Sequence, residues 1–215
     1  NSTAEAVDFA VHANEAGADA ALSVVPYYNK PTQEGLYAHF AAVARAVPEL
    51  PVFIYNVPGR TVAEISVDTL ARLAVDFANI IGTKDATADL ARPSLQRLAS
   101  GEKFSLLSGE DGTALAFNAH GGTGCISVTA NVAPRLCAEF QEATLAGDYA
   151  KALSIQDRLM PLHAALFCET SPSPVKYAVS LLGHALEDAR LPIMPATEGA
   201  RQQVKAAMVH AGLLN

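Results

Sequence analysis

Cysteine is scarce in this chain of 215 residues: Cys125, Cys137 and Cys168 are odd in number, far apart, and include no C-x-x-C pair. That pattern excludes a disulfide framework and a structural zinc site, and fits a reduced, cytosolic protein. Basic residues form no run and the net charge is −7, so the electrostatic footprint of a nucleic-acid or anionic-membrane binder is missing. No apolar stretch reaches bilayer length, and the opening "NSTAEAVDFA" is not a signal peptide. The six histidines show no H-E-x-x-H or comparable spacing, which argues against metal catalysis. G-x-S-x-G does not occur, removing the commonest serine-hydrolase signal. Nor does G-x-G-x-x-G follow the first strand-like run; "GGTG" (121–124) precedes a strand instead, and reads as a tight αβ turn.

What the chain does have is apolar material, at 50% hydrophobic and 17% charged residues, enough to build the core of one larger α/β domain. Five near-continuous apolar runs read as strands covered on both faces: "DAALSVVP" (19–26), "PVFIYNVP" (51–58), "NIIGTKDA" (79–86), "FSLLSGE" (104–110) and "TGCISVTAN" (123–131). Helical segments with recognisable starts lie between them. Ser2 with Glu5 has capping-box spacing and Gly17 stands just past that helix, while Thr32, Ser66 and Asp111 open three more. Beyond the fifth strand the pattern is helical, with starts at Pro134, Asp148, Ser173-Pro174 and Thr197 and a close at Gly212.

Strand and helix alternating in this way predict βα units on a parallel sheet. A doubly wound sheet and a (β/α)8 barrel both satisfy the pattern. A closed barrel, however, needs eight strands and typically ~250 residues. Five strands plus a helical tail mean either an open sheet or a chain lacking about three βα units at its N-terminus. The expected division is residues 1–133 for the sheet region and 134–215 for the helical region.

Sites in parallel α/β folds lie at the carboxyl ends of the strands. Those ends offer Tyr27, Tyr28, Tyr55, Asn56, Arg60, Lys84, Asp85, the Ser108–Asp111 stretch and Ile126 to Asn131. Among the lysines, Lys30 precedes Pro31, Lys103 lies in a loop, and Lys151, Lys176 and Lys205 fall on helices; only Lys84 is in a strand. Burial there would disfavour its charged form and yield a neutral amine able to attack a carbonyl. The alternative is an ammonium that snorkels to solvent or pairs with Asp85. Tyr55 reads equally as a core tyrosine or a proton shuttle, and Arg60 as a surface charge or a carboxylate fork.

The segments "VVPYYNKPTQEGLYAHF", "FIYNVPGRT", "IIGTKDAT", "LLSGEDGTAL", "GGTGCISVTANV" and "FCETSPSPVKYAV" resemble, in order and spacing, the dihydrodipicolinate synthase family of pyruvate-dependent class I aldolases. The resemblance runs over essentially the whole chain. It implies a (β/α)8 TIM barrel with C-terminal helices, of which about the last five βα units are present. It also implies condensation of pyruvate with aspartate 4-semialdehyde on the route to diaminopimelate and lysine, without metal or organic cofactor, by a cytoplasmic homotetramer built as a dimer of dimers.

By the same resemblance, Lys84 matches the Schiff-base lysine, Tyr55 the proton-relaying tyrosine, and Tyr28 the tyrosine lent to a neighbouring subunit. Arg60 matches the arginine that binds the aldehyde's carboxylate, and Gly109 and Ile126 further pocket positions, Ile126 through its backbone carbonyl. Asn1, Glu5 and Tyr27 resemble part of an inhibitory lysine site found in some members. The related N-acetylneuraminate lyases tend to lack the arginine after Y-N-V-P, so "NVPGRT" favours the synthase over that lyase; other keto-acid aldolases and dehydratases, or an inactive binding relative, are the alternatives. The family's Gly-Thr-Thr-Gly-Glu segment has no match here, and Asn1 aligns just before its third barrel helix. The expectation is that the sequence is part of a longer chain; a chain that truly began at Asn1 would show little or no activity.

Overall fold

A computed structural model describes all 215 residues, which pack as two compact units, Asn1–Ile126 and Ser127–Asn215. The first unit holds five strands: β1 (Ala21–Val24), β2 (Val52–Asn56), β3 (Ile80–Asp85), β4 (Ser105–Ser108) and β5 (Gly124–Cys125). They form one all-parallel sheet in the order β1-β2-β3-β4-β5. The six helices of this unit are α1 (Thr3–Glu15), α2 (Gln33–Ala46), α3 (Pro58–Thr61), α4 (Val67–Asp76), α5 (Arg92–Ser100) and α6 (Ala114–Ala119).

The helices begin where side chains can take the orphan N–H groups of a first turn. Ser2 accepts from the Glu5 amide, Thr32 from Gly35 and Ser66 from Thr69. Gly17, at φ +82° just after α1, takes the left-handed conformation that ends a helix most cheaply in glycine.

Asp111 does not open the helix after β4. Glu110 does, its carboxylate accepting from the Gly112 amide, and residues Asp111–Thr113 make a 3-10 turn before α6. Ser108 supplies the reason: its hydroxyl donates to the Glu110 carbonyl and accepts from the Glu110 amide, tightening the bend by two residues.

One face of the sheet is buried and dry. Val52, Ile54 and Thr83 are fully buried there and Leu106 nearly so; Val52, Ile54 and Leu106 share one cluster with Leu36 and Phe40 of α2, Leu70 and Leu73 of α4, and Phe117 of α6. Replacing Ile54 by alanine should cost about 2–5 kcal/mol of stability by leaving a cavity under those helices, read as a lowered denaturation midpoint with unchanged slope.

The opposite face departs from the expectation of strands covered on both sides. It carries Leu22 (46% exposed) and the half-buried Phe53, Tyr55, Lys84 and Leu107. The buried cluster of the first face takes in α1, α2, α4 and α6, and alternation sends every second strand side chain to the other face.

The fifth strand is also much shorter than its apolar run. Ladder pairing stops at Cys125, and the Ser127 hydroxyl accepts the Ala130 amide at 2.9 Å, turning the chain into a 3-10 turn at Thr129–Asn131. α5 had no counterpart among the expected helices: its nine residues are "RPSLQRLAS", poor in apolar side chains, and only Pro93 in the first turn marks it.

The second unit is helical: α7 (Pro134–Leu145), α8 (Tyr149–Ala165), α9 (Ser173–Leu181) and α10 (Glu198–His210). Asp148 caps α8 through the Lys151 amide and Thr197 caps α10 through Ala200, while Gly212 follows α10 at φ +72°. Leu159, Leu162, Leu166, Val175, Val204 and Met208 form its core. No helix of the chain is long and apolar enough to cross a membrane.

Candidate active site

Parallel pairing sets the site before any side chain is considered. Val24 is registered with Tyr55, Tyr55 with Lys84, Lys84 with Leu107 and Leu107 with Gly124, so these five residues form one row across the sheet. Partners in a ladder share a face, and the row lies on the half-open one, near the carboxyl ends of the strands. An extra residue, Ile81, enters β3 between the pairs Val52–Ile80 and Phe53–Gly82. This bulge shifts the second half of β3 by one position and so puts Lys84, rather than a neighbour, opposite Tyr55.

Lys84 does not pair with Asp85. Its Nζ lies 4.0 Å from the centroid of the Tyr55 ring, and the Asp85 carboxylate points to the helix side, bonded to Arg92, Gln96 and Thr87. Burial pushes the Lys84 amine below the usual lysine range, and the nearby Cys125 and Asp111 partly oppose that. For Tyr55 burial pushes the phenol up, with Arg60 acting the other way. The pair is therefore an amine biased toward its neutral form beside a hydroxyl that keeps its proton, the protonation states that carbonyl addition needs.

Gly109 packs tightly between Ala86 and Lys84. A Cβ at position 109 would stand 2.8 Å from Ala86 Cβ and 3.0 Å from Lys84 Cε, so a side chain there would crowd both. The Gly109 amide donates to the Asp85 carbonyl at 2.7 Å, and the Ile126 amide to the Ser108 carbonyl at 2.9 Å. Ile126 is 39% exposed and lies just past the end of β5.

Arg60 lies exposed in the single-turn helix α3, where Thr61 donates to the Val57 and Ala63 carbonyls. Val62 follows at φ +56°, costly for a β-branched residue and tolerated where the surrounding bonds over-determine the backbone. Tyr28 is not brought to the pair. It stands 86% exposed at φ +74°, its amide donating to the Thr61 carbonyl at 3.3 Å.

Asn1, Glu5 and Tyr27 do come together, lining with Phe9, Leu22 and His39 a cavity of about 440 Å³ beside β1. His39, overlooked in the sequence because it falls within α2, is buried against Thr3 and its pKa is lowered by that burial. No three His, Cys, Asp or Glu side chains are grouped as a metal site.

The model of the dihydrodipicolinate synthetase family matches residues 1–211. The chain belongs to that family. It is 63% identical over 214 residues to the 4-hydroxy-tetrahydrodipicolinate synthase of Methylobacterium radiotolerans, covering all of this chain and 71% of that protein. Identity to the enzyme of the same name from Parvibaculum lavamentivorans is 60% over 215 residues, covering all of this chain and 73% of the relative. Among solved structures, dihydrodipicolinate synthase from Aquifex aeolicus superposes with a TM-score of 0.96 at 45% identity, over 99% of this chain and 72% of that one. The enzyme from Cyanidioschyzon merolae with lysine bound gives 0.96 at 39%, again over 99% and 72%.

Proposed function

We propose that this synthetase-family chain is a Schiff-base lyase condensing pyruvate with aspartate 4-semialdehyde, with Lys84 as the nucleophile. The observation that carries the assignment is the Lys84 amine held 4.0 Å over the Tyr55 ring, with burial lowering its pKa. The amine adds to the keto carbon of pyruvate and water leaves, giving an iminium. That cation withdraws electrons from the methyl group, which loses a proton to become an enamine. The enamine carbon bonds to the aldehyde carbon, whose oxygen takes up a proton. The amino group of the second substrate then displaces Lys84 from the former keto carbon, closing the ring and freeing the enzyme.

Each step moves a proton, a task we assign to the hydroxyl of Tyr55, whose ring neighbours the lysine. Arg60 supports the choice of a second substrate carrying a carboxylate, since a guanidinium meets that group with two parallel bonds and Arg60 acts electrostatically on Tyr55. Gly109 and Ile126 border the pyruvate position. Tyr28, turned outward, fits a role in a neighbouring subunit of a homotetramer rather than beside its own lysine. The parallel strand order fits five consecutive strands of a (β/α)8 barrel. The Asn1–Glu5–Tyr27 cavity, together with the lysine-bound relative, supports an effector site for lysine. A cytoplasmic location follows the biosynthetic role.

Borohydride added to the full chain with pyruvate should reduce the imine and leave a stable adduct on Lys84, located by peptide mass mapping. Its rate should rise with pH and level off below the ordinary lysine range, because a lowered pKa supplies neutral amine earlier. Absence of the adduct sinks the assignment. Turnover with N-acetylneuraminate instead of aspartate 4-semialdehyde would replace the synthase by its sister lyase.

A further inference from the structure

β3 ends in Lys84 and Asp85, whose side chains leave on opposite faces of the sheet. On the helix side the Asp85 carboxylate, 3% exposed, accepts four hydrogen bonds. Oδ1 takes the Thr87 amide (2.9 Å) and hydroxyl (2.6 Å), and Oδ2 takes Arg92 Nε and Gln96 Nε2, both at 2.8 Å. Arg92 is itself 7% exposed, and its remaining nitrogens donate to the Glu64 carboxylate (2.7 Å) and the Ile65 carbonyl (3.1 Å). The Ile65 amide in turn donates to Oδ1 of Asn56, the last residue of β2.

One guanidinium therefore links the neighbour of Lys84 to the segment anchored on the neighbour of Tyr55. A planar fork with fixed donor directions suits such a clamp, and an ammonium does not. Apolar packing would stabilise the same space as well or better than a buried ion pair, so stability alone does not account for the cluster. What it adds is a defined relation between two strand ends.

We propose that Arg92 is a positioning residue for the imine chemistry: by gripping Asp85 and the Glu64–Ile65 segment together, it holds Lys84 against the Tyr55 ring on the far face. The inference rests on the assignment of Lys84 as the imine-forming lysine. Lys84 meets the Tyr55 ring of β2 directly, and Asp111 in the turn after β4 and Cys125 of β5 act on it electrostatically. Arg92, Glu64 and Asp85 act from behind the strand, through the backbone.

Two variants of the full chain test this. Arg92→Met should lower kcat on the order of 10- to 100-fold, the effect of small misplacements of reacting groups. It should also move the acidic limb of reductive trapping with pyruvate to higher pH, as a loosened Lys84 regains water. Glu64→Ala removes only the partly exposed partner (its side chain is 47% exposed), so it folds even where Arg92→Met does not. It should lower kcat severalfold and move the limb upward as well. Its direction is decisive, because deleting a negative charge would by field alone move the limb down. A wild-type kcat and limb in either folded variant, with only the melting temperature reduced, overturns the proposal, as does a downward shift in Glu64→Ala. If the wild-type chain forms no adduct, the lysine assignment itself fails, and the proposal with it.

Discussion

Substituting Lys84 by methionine should abolish the borohydride-trapped pyruvate adduct and lower kcat by at least ~10³-fold, the scale expected when a covalent nucleophile is removed. Methionine nearly preserves the length and apolar stem of the side chain, so the row Val24–Tyr55–Lys84–Leu107 keeps its packing. Stability should hold or rise. In the folded chain burial lowers the lysine's pKa below its unfolded value, so the native state is penalised wherever the amine would otherwise be charged. That penalty is full at pH below the folded pKa. It fades as pH rises through the folded pKa toward the ordinary lysine value, because over that window the unfolded chain binds more protons than the native one. The methionine variant should therefore gain most over wild type at low pH and least near pH 10. A structural lysine would behave in the opposite way, its loss costing stability and sparing the adduct. Chemical denaturation at several pH values, beside mass analysis of the trapped protein, separates the two.

The frame around that lysine was legible because its determinants are local. Apolar runs, cap residues and helix-ending glycines fixed five parallel strands and most helix starts, and being the only strand lysine singled out Lys84. Where signals competed, the reading slipped. The apolar run after Gly124 continued past Cys125, but Ser127 offered the backbone a turn and took it out of the ladder. Ser108 and Glu110 did the same at the start of α6. The bulge at Ile81, the left-handed backbone at Tyr28 and the Asp85–Arg92–Glu64 clamp left no mark in the chain's periodicity. Each depends on partners distant in sequence; Arg92 and Glu64 are 28 residues apart. Gly109 shows the same limit, since the crowding of a Cβ there by Ala86 and by the Lys84 side chain is set by the fold.

Changing Tyr55 to phenylalanine isolates the other half of the pair. The ring that lies 4.0 Å from Lys84 Nζ remains, so the amine keeps its neighbour, its burial and its lowered pKa. Only the hydroxyl goes, and with it the proton relay that the proposed mechanism assigns to it between iminium, enamine and new alkoxide. Because burial raises the Tyr55 pKa, the phenol is protonated at neutral pH and serves as donor before it serves as acceptor. General acid–base groups of this kind contribute about 10²–10⁴-fold, so kcat should fall by at least ~10²-fold. Stability should change by no more than about 1 kcal/mol, the net worth of a hydroxyl's hydrogen bonds. The discriminating measurement is trapping at saturating pyruvate. With Lys84 as the proposed nucleophile unchanged, the adduct should form to completion, only more slowly, and its pH limb should stay where wild type has it. Failure to form any adduct would mean that the hydroxyl itself sets the state of the amine, and the division of labour between Lys84 as nucleophile and Tyr55 as relay would have to be redrawn.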